Sequence, residues 1–343
     1  MTSRLFLILC VCFTAISLPA AETPAGPGNT YALLIGGMGG QEPYNHWYED
    51  WTGRFQKYLV TTAGVPSTNV TVLTRDAATA EAITGALGKL AQQVKPQDQF
   101  ILFITGHGEI SGKSPTLMLP GPDLNADRLS AALAGIKSKN QVILNFSASS
   151  GNFLKTTAAA GRVNIAATSP TEGNEPVFAE FFLRGLESKR ANANKSDAIN
   201  MLDAYNWATQ QTALWIVRWV ETGTGPGADP DKAAWKASGK ETVEIFEKLY
   251  PKNTTRKLDP ASDRKAEDAP REFLPADGQI TEEWAQRRVI DEHATLEDNG
   301  QEIGVSALGD KGFQPILGEK PGDPGYIARL TVLGKPVTPP AAQ

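Results

Sequence analysis

The chain has 343 residues, 41% of them hydrophobic and 21% charged, which excludes disorder of the chain as a whole and allows a sizeable core. Its formal net charge of -5 argues against nucleic acid or an anionic membrane as the main partner. Both cysteines, Cys10 and Cys12, lie in the apolar run Leu5 to Leu18 behind Arg4, which Pro19-Ala-Ala-Glu22 follows. This pattern reads as a cleavable secretory signal over residues 1–21, so the expected location is secreted or periplasmic. The run falls short of the ~20 residues a membrane span needs, and no integral span is expected after cleavage. Cleavage leaves no cysteine, which excludes a disulfide scaffold, a thiolate metal site and a cysteine nucleophile.

From Tyr31 to about Leu186, short apolar runs alternate with segments of helical period. The runs are Tyr31 to Ile35, Val70 to Leu73, Phe100 to Ile104, Val142 to Leu144 and Val163 to Ala166. They lack polar alternation, as strands buried on both faces do. Between them, Trp47, Trp51, Phe55, Tyr58 and Leu59 recur at helical steps. So do Ala82, Ile83, Ala86, Leu87 and Leu90, and then Leu129, Leu133 and Ile136, with Asn125-Ala-Asp-Arg128 as the cap of that third helix. Repeated βαβ units predict an α/β fold: a doubly wound, mainly parallel sheet with helices on both faces. A further helix is expected over Ala198 to Glu221, ahead of the Gly/Pro-rich break Gly223 to Pro230. The α/β domain is placed at 28–250 and an acidic, Pro/Gly-rich extension at 251–343. In that extension Ile280 to Ala294 reads as a helix and Pro321 to Gln343 as an extended tail.

Function in such a sheet sits at the carboxyl ends of the strands. The third strand runs into Thr105-Gly-His-Gly108, where a histidine between glycines meets the crevice. The fourth ends in Asn145-Phe-Ser-Ala-Ser-Ser-Gly151, rich in small hydroxyl residues. Neighbouring strands would bring His107 and Ser147 together. The glycine run Gly36 to Gly40 fails the dinucleotide register because position 42 is Glu42. Glu297 to Glu302 lacks the spacing of a calcium loop. His46 and His293 read as packed or solvated, and the histidine spacing predicts no metal site. No cofactor is expected.

Thr105-Gly-His-Gly108, the turn Asn145-Phe-Ser-Ala-Ser149 and Ala166-Ala-Thr-Ser-Pro170 together resemble the caspase-like peptidases. The likeness is closest to the legumain-like group, which includes the catalytic subunit of the GPI transamidase. Gly36-Gly-Met-Gly-Gly40 with Tyr44-Asn-His-Trp47 resembles the first strand end of such chains, and the likeness spans roughly 30–187. A weaker likeness reaches Glu292 to Gly300. It implies His107 as the base and position 147 as the nucleophile. Here that position is Ser147 rather than cysteine, Asn145 replaces the usual acid, and Gly36-Gly-Met38 offers no asparagine to orient the histidine.

A serine lacks the readily lowered pKa of a thiol and needs a base held in one tautomer by a third group. No such group is evident, and the turn Ser147-Ala-Ser-Ser-Gly151 is not the Gly-x-Ser-x-Gly elbow of serine hydrolases. The expectation is therefore a catalytically impaired homologue that binds a peptide or protein in its crevice. The alternative is a peptidase or transpeptidase with Ser147 as nucleophile and His107 as base. Gly106, Gly108, Asn145, Ser169 and Glu172 are the expected substrate-binding residues, Glu172 at the pocket rim.

Overall fold

The structure, a computed structural model, describes residues 28–39, 42–111, 114–173, 176–193, 195–222, 292–309 and 312–336. The expected signal, the break after 222 and nearly all of the helix expected from Ile280 lie outside the described residues. At the end of that last stretch, Glu292 to Ala294 are not helical. No helix among the described residues is long and apolar enough to cross a membrane.

The five apolar runs become β1 (Thr30–Gly36), β2 (Val70–Thr74), β3 (Gln99–Thr105), β7 (Asn140–Asn145) and β8 (Arg162–Ala166). All pair in parallel, in the order β2-β1-β3-β7-β8, and β9 (Thr295–Glu297) adds an antiparallel sixth strand beside β8. Helices α1 (Glu42–Thr61), α5 (Phe178–Glu187) and α6 (Met201–Thr222) cover one face; α2 (Ala80–Gln93) and α3 (Ala126–Leu133), with the short α4 (Leu154–Thr157) against α3, cover the other. Alternate residues of each central strand therefore feed two separate cores. On β3, Ile101 and Phe103 pack towards α1, while Phe100, Leu102 and Ile104 pack towards α2. The fold is the doubly wound α/β class that the apolar runs predict, and Asn125 caps α3 by accepting from Arg128 N at 2.9 Å.

A small antiparallel sheet has no counterpart in the sequence reading: β4 (Gly108–Ser111), β5 (Ser114–Leu117) and β6 (Leu124–Asn125). Its strands are too short for a period to register. Within the segment read as an extension, β9 supplies the sixth strand of the main sheet. Glu297 points inward here, its carboxylate accepting the amides of Asn299, Gly300 and Gln301. An inward, amide-bound acid looks like a solvated one in sequence. The expected tail contains a short helix, α7 (Tyr326–Leu330), entered through Asp298, which accepts from Gly325 N and Ala328 N at 2.9 Å each. Gln99 on β3 then ties the end of the described chain to the sheet through Val332 O and Gly334 N.

Tyr205 of α6 clamps this C-terminal segment to the core. Its fully buried hydroxyl donates to Ala294 O at 2.7 Å and accepts from Ala307 N at 3.1 Å. Burial pushes its phenol up to about 12, so it stays protonated at neutral pH. Tyr205→Phe strands a buried donor and acceptor and is expected to cost about 1–3 kcal/mol, read as a lowered urea midpoint at unchanged slope.

Candidate functional site

In an order that reads β2-β1-β3, the chain winds outward in opposite directions from β1 and β3, so the crevice lies between their carboxyl ends. Two glycines line it because two backbones meet there. A Cβ on Gly37 would lie 3.3 Å from Gly106 Cα, and Gly37 N donates to Thr105 O at 2.8 Å. The glycine run thus serves a close approach of two loops.

His107 follows directly. Its Nε2 is bonded to Gly39 O, and because a carbonyl only accepts, the proton sits on Nε2. In the neutral ring the lone pair is then on Nδ1, which faces the Tyr48 hydroxyl at 3.5 Å. Tyr44 and Tyr48 approach the imidazole edge-on, with centroids 5.1 and 5.8 Å away. Both come from α1, whose Trp47, Trp51 and Phe55 anchor it on the core.

Beside His107 runs the turn after β7. Phe146 N donates to Ile104 O at 2.7 Å and Ala148 N to Gly106 O at 3.2 Å, so strands β3 and β7 lie together as expected and their pairing continues past their ends. Gly108 is pressed against Ala148 O, 2.2 Å from where a Cβ would be. The neighbouring side chains turn to different partners, however. Ser147 is 0% exposed, and its Oγ donates to Asn145 Oδ1 at 2.7 Å; the same oxygen accepts Ser147 N at 3.2 Å. Asn145, expected to contact substrate, is itself buried and spent on Ser147.

Ser169 and Glu172 lie in the loop after β8. Glu172 is buried and bonded to His293 Nδ1, and its other oxygen accepts Ser169 N at 2.7 Å and His293 N at 3.1 Å. Burial would raise its carboxyl, but the bonds from His293 and Ser169 outweigh this and hold it below the usual carboxylate range. Glu172 is thus a tie to the chain entering β9 rather than an open rim residue, and His293 is its partner rather than part of a solvated face. A separation of 121 residues hides this pair from any local reading. Ser149, which the sequence reading passed over, is buried in a left-handed conformation at φ 56° and ψ 20°. Among the described residues, no cluster of three His, Cys, Asp or Glu is placed to hold a metal.

No protein-family model matches the chain, and no curated protein matches it in sequence. Similar solved structures include a protein from Geobacter sulfurreducens, 16% identical with a TM-score of 0.41, covering 53% of this chain and 89% of that one. Caspase-1 from Spodoptera frugiperda is 16% identical with a TM-score of 0.38, covering 55% of this chain and 78% of its own. The Drosophila initiator caspase Dronc is 11% identical with a TM-score of 0.36, covering 53% and 71%.

Proposed function

We propose that this is an exported protein of caspase-like, legumain-related fold that binds an extended peptide at the crevice between β1 and β3, without peptide cleavage by His107 and Ser147. The observation that carries this reading is the state of Ser147. A nucleophile needs access and a base lone pair aimed at it; Ser147 has zero exposure and gives its proton to Asn145, while the His107 lone pair faces Tyr48. The crevice mouth also has the character of a docking surface. Met38 and Met118 are exposed there, Met118 N being bonded to His107 O, and Ile110 of β4 is 55% exposed. Among the described residues β4 pairs only with β5, leaving an outer edge suited to an added strand.

Ser147→Cys tests the catalytic half of this reading. Its alkylation rate, resolved by mass spectrometry from Cys10 and Cys12, is expected not to exceed that of a free thiol and to be unchanged by His107→Ala. A fast, His107-dependent reaction would restore Ser147 as a working nucleophile and sink the proposal. The binding half is tested with a peptide library on the purified protein. Met118→Glu is expected to weaken captured peptides about tenfold or more, as a charge in the centre of an apolar contact does; unchanged affinity removes the crevice as the site.

A further inference from the structure

Away from the crevice, the seam of α1, α5 and α6 holds a cavity of about 390 Å³. That volume falls in the range of small-molecule sites, roughly 300–1,000 Å³. Its aromatic lining is Phe181 of α5 and the half-buried Trp207 of α6. Gly185 lets the Trp207 ring lie against α5, since a Cβ there would meet Trp207 Cε3 at 2.7 Å and Cζ3 at 3.1 Å. A glycine weakens a helix interior, and here the close approach of the ring requires one.

The polar lining divides into groups that are satisfied and groups that are not. Glu180 is engaged through both oxygens, by Trp51 and Arg54 on one and by Arg184 on the other, and Glu187 is held by Arg54. Both acids of the cavity are therefore occupied by arginine, which leaves the Arg190 guanidinium without an acid among the described residues. Three arginines against two glutamates give the lining one excess positive charge. Lys189, at φ 58°, turns the chain back after α5, and Ala191 N returns to Gly185 O at 3.4 Å, so Arg190 comes to the cavity. Gln211 of α6 lines the same cavity at 5% exposure, and its Nε2 has no hydrogen-bond partner among the described residues. A buried donor of this kind costs free energy until an acceptor meets it. Rotation of the planar amide about its last torsion presents Nε2 to the cavity, where a ligand oxygen can accept from it.

We propose that this cavity binds a small aromatic carboxylate, with its oxygens on the Arg190 guanidinium and the Gln211 amide and its ring against Trp207. The planar fork of a guanidinium matches the two oxygens of a carboxylate. The single excess positive charge calls for one negative charge on the ligand, and Trp207 with Phe181 calls for an aromatic body. This site goes beyond the crevice reading and does not depend on it. None of its lining residues belongs to the crevice, and the two are read on different variants, Arg190 here and Met118 there.

The test is calorimetric titration of the full chain with 2-naphthoate and with its neutral amide, 2-naphthamide. The carboxylate is expected to bind at one site, about tenfold or more tightly than the amide, because only the carboxylate makes charge-assisted bonds to Arg190. Arg190→Gln is expected to weaken the carboxylate about tenfold or more, and Arg190→Lys to recover only part of that loss, since an ammonium lacks the fork. Arg190 is exposed, so neither change threatens the fold. Gln211→Leu keeps a similar volume without the amide and is expected to weaken the carboxylate about threefold or more. A thermal melt of each variant without ligand separates lost binding from lost folding. No binding of 2-naphthoate, equal affinity for the amide, or an affinity indifferent to Arg190→Gln would overturn the proposal.

Discussion

Glu180→Ala is expected to destabilise the fold by about 3 kcal/mol, because it removes the buried carboxylate on which Trp51, Arg54 and Arg184 converge. Glu180 projects from α5 into the seam with α1 and is 4% exposed. One of its oxygens accepts from Trp51 Nε1 at 3.0 Å and Arg54 Nη1 at 2.6 Å, and the other is bonded to Arg184 Nε. Arg54 also holds Glu187 through two bonds of 3.0 and 2.8 Å. Burial by itself would raise the Glu180 carboxyl, but Arg54 and Arg184 outweigh it and hold it below the usual carboxylate range. A carboxyl depressed in the folded state contributes stability that is complete above its unfolded value, near about 4.3, and lost as pH falls through the folded one. The wild type is therefore expected to lose stability on acidification below that region, and Glu180→Gln to lose less over the same range. Urea unfolding from pH 7 down to pH 3 checks both; parallel curves for the two proteins would show that the cluster contributes no pH-dependent stability.

The second large effect is expected at Phe146, the residue between Asn145 and Ser147. Its ring is fully buried edge-on against Phe103, at 5.6 Å, and against Phe178 and Phe182, both at 5.1 Å. Phe146→Ala removes the shared member of this aromatic group and is expected to cost about 3–5 kcal/mol. Phe146→Leu, which leaves a smaller cavity, is expected to cost less. Calorimetry of the two variants beside the wild type checks both.

Hydrophobic pattern carried most of the architecture. Five runs such as Phe100 to Ile104 are apolar without alternation, and burial on both faces is the simplest way to satisfy them. Helical periods such as Trp47, Trp51 and Phe55 then supplied the covering layers, and local chemistry placed the Asn125 cap. What failed were the short and polar pieces. β4 to β6 are too brief for a period, and β9 hides behind Glu297, whose buried carboxylate is satisfied by three amides of its own loop.

The site divides in the same way. From the sequence by itself come the doubly wound class, the placing of His107 and the Ser147 turn at neighbouring strand ends, and the absence of any cysteine outside the expected signal. These rest on residue type and on spacings within a few turns of chain. Only the tertiary structure decided which atoms each side chain engages: Ser147 turned inward to Asn145, His107 turned to Gly39 and Tyr48, and Glu172 bonded to His293 across 121 residues. Hydrogen-bond direction, burial and tautomer depend on what the folded chain brings into a 3 Å shell, and a local pattern carries no record of that shell.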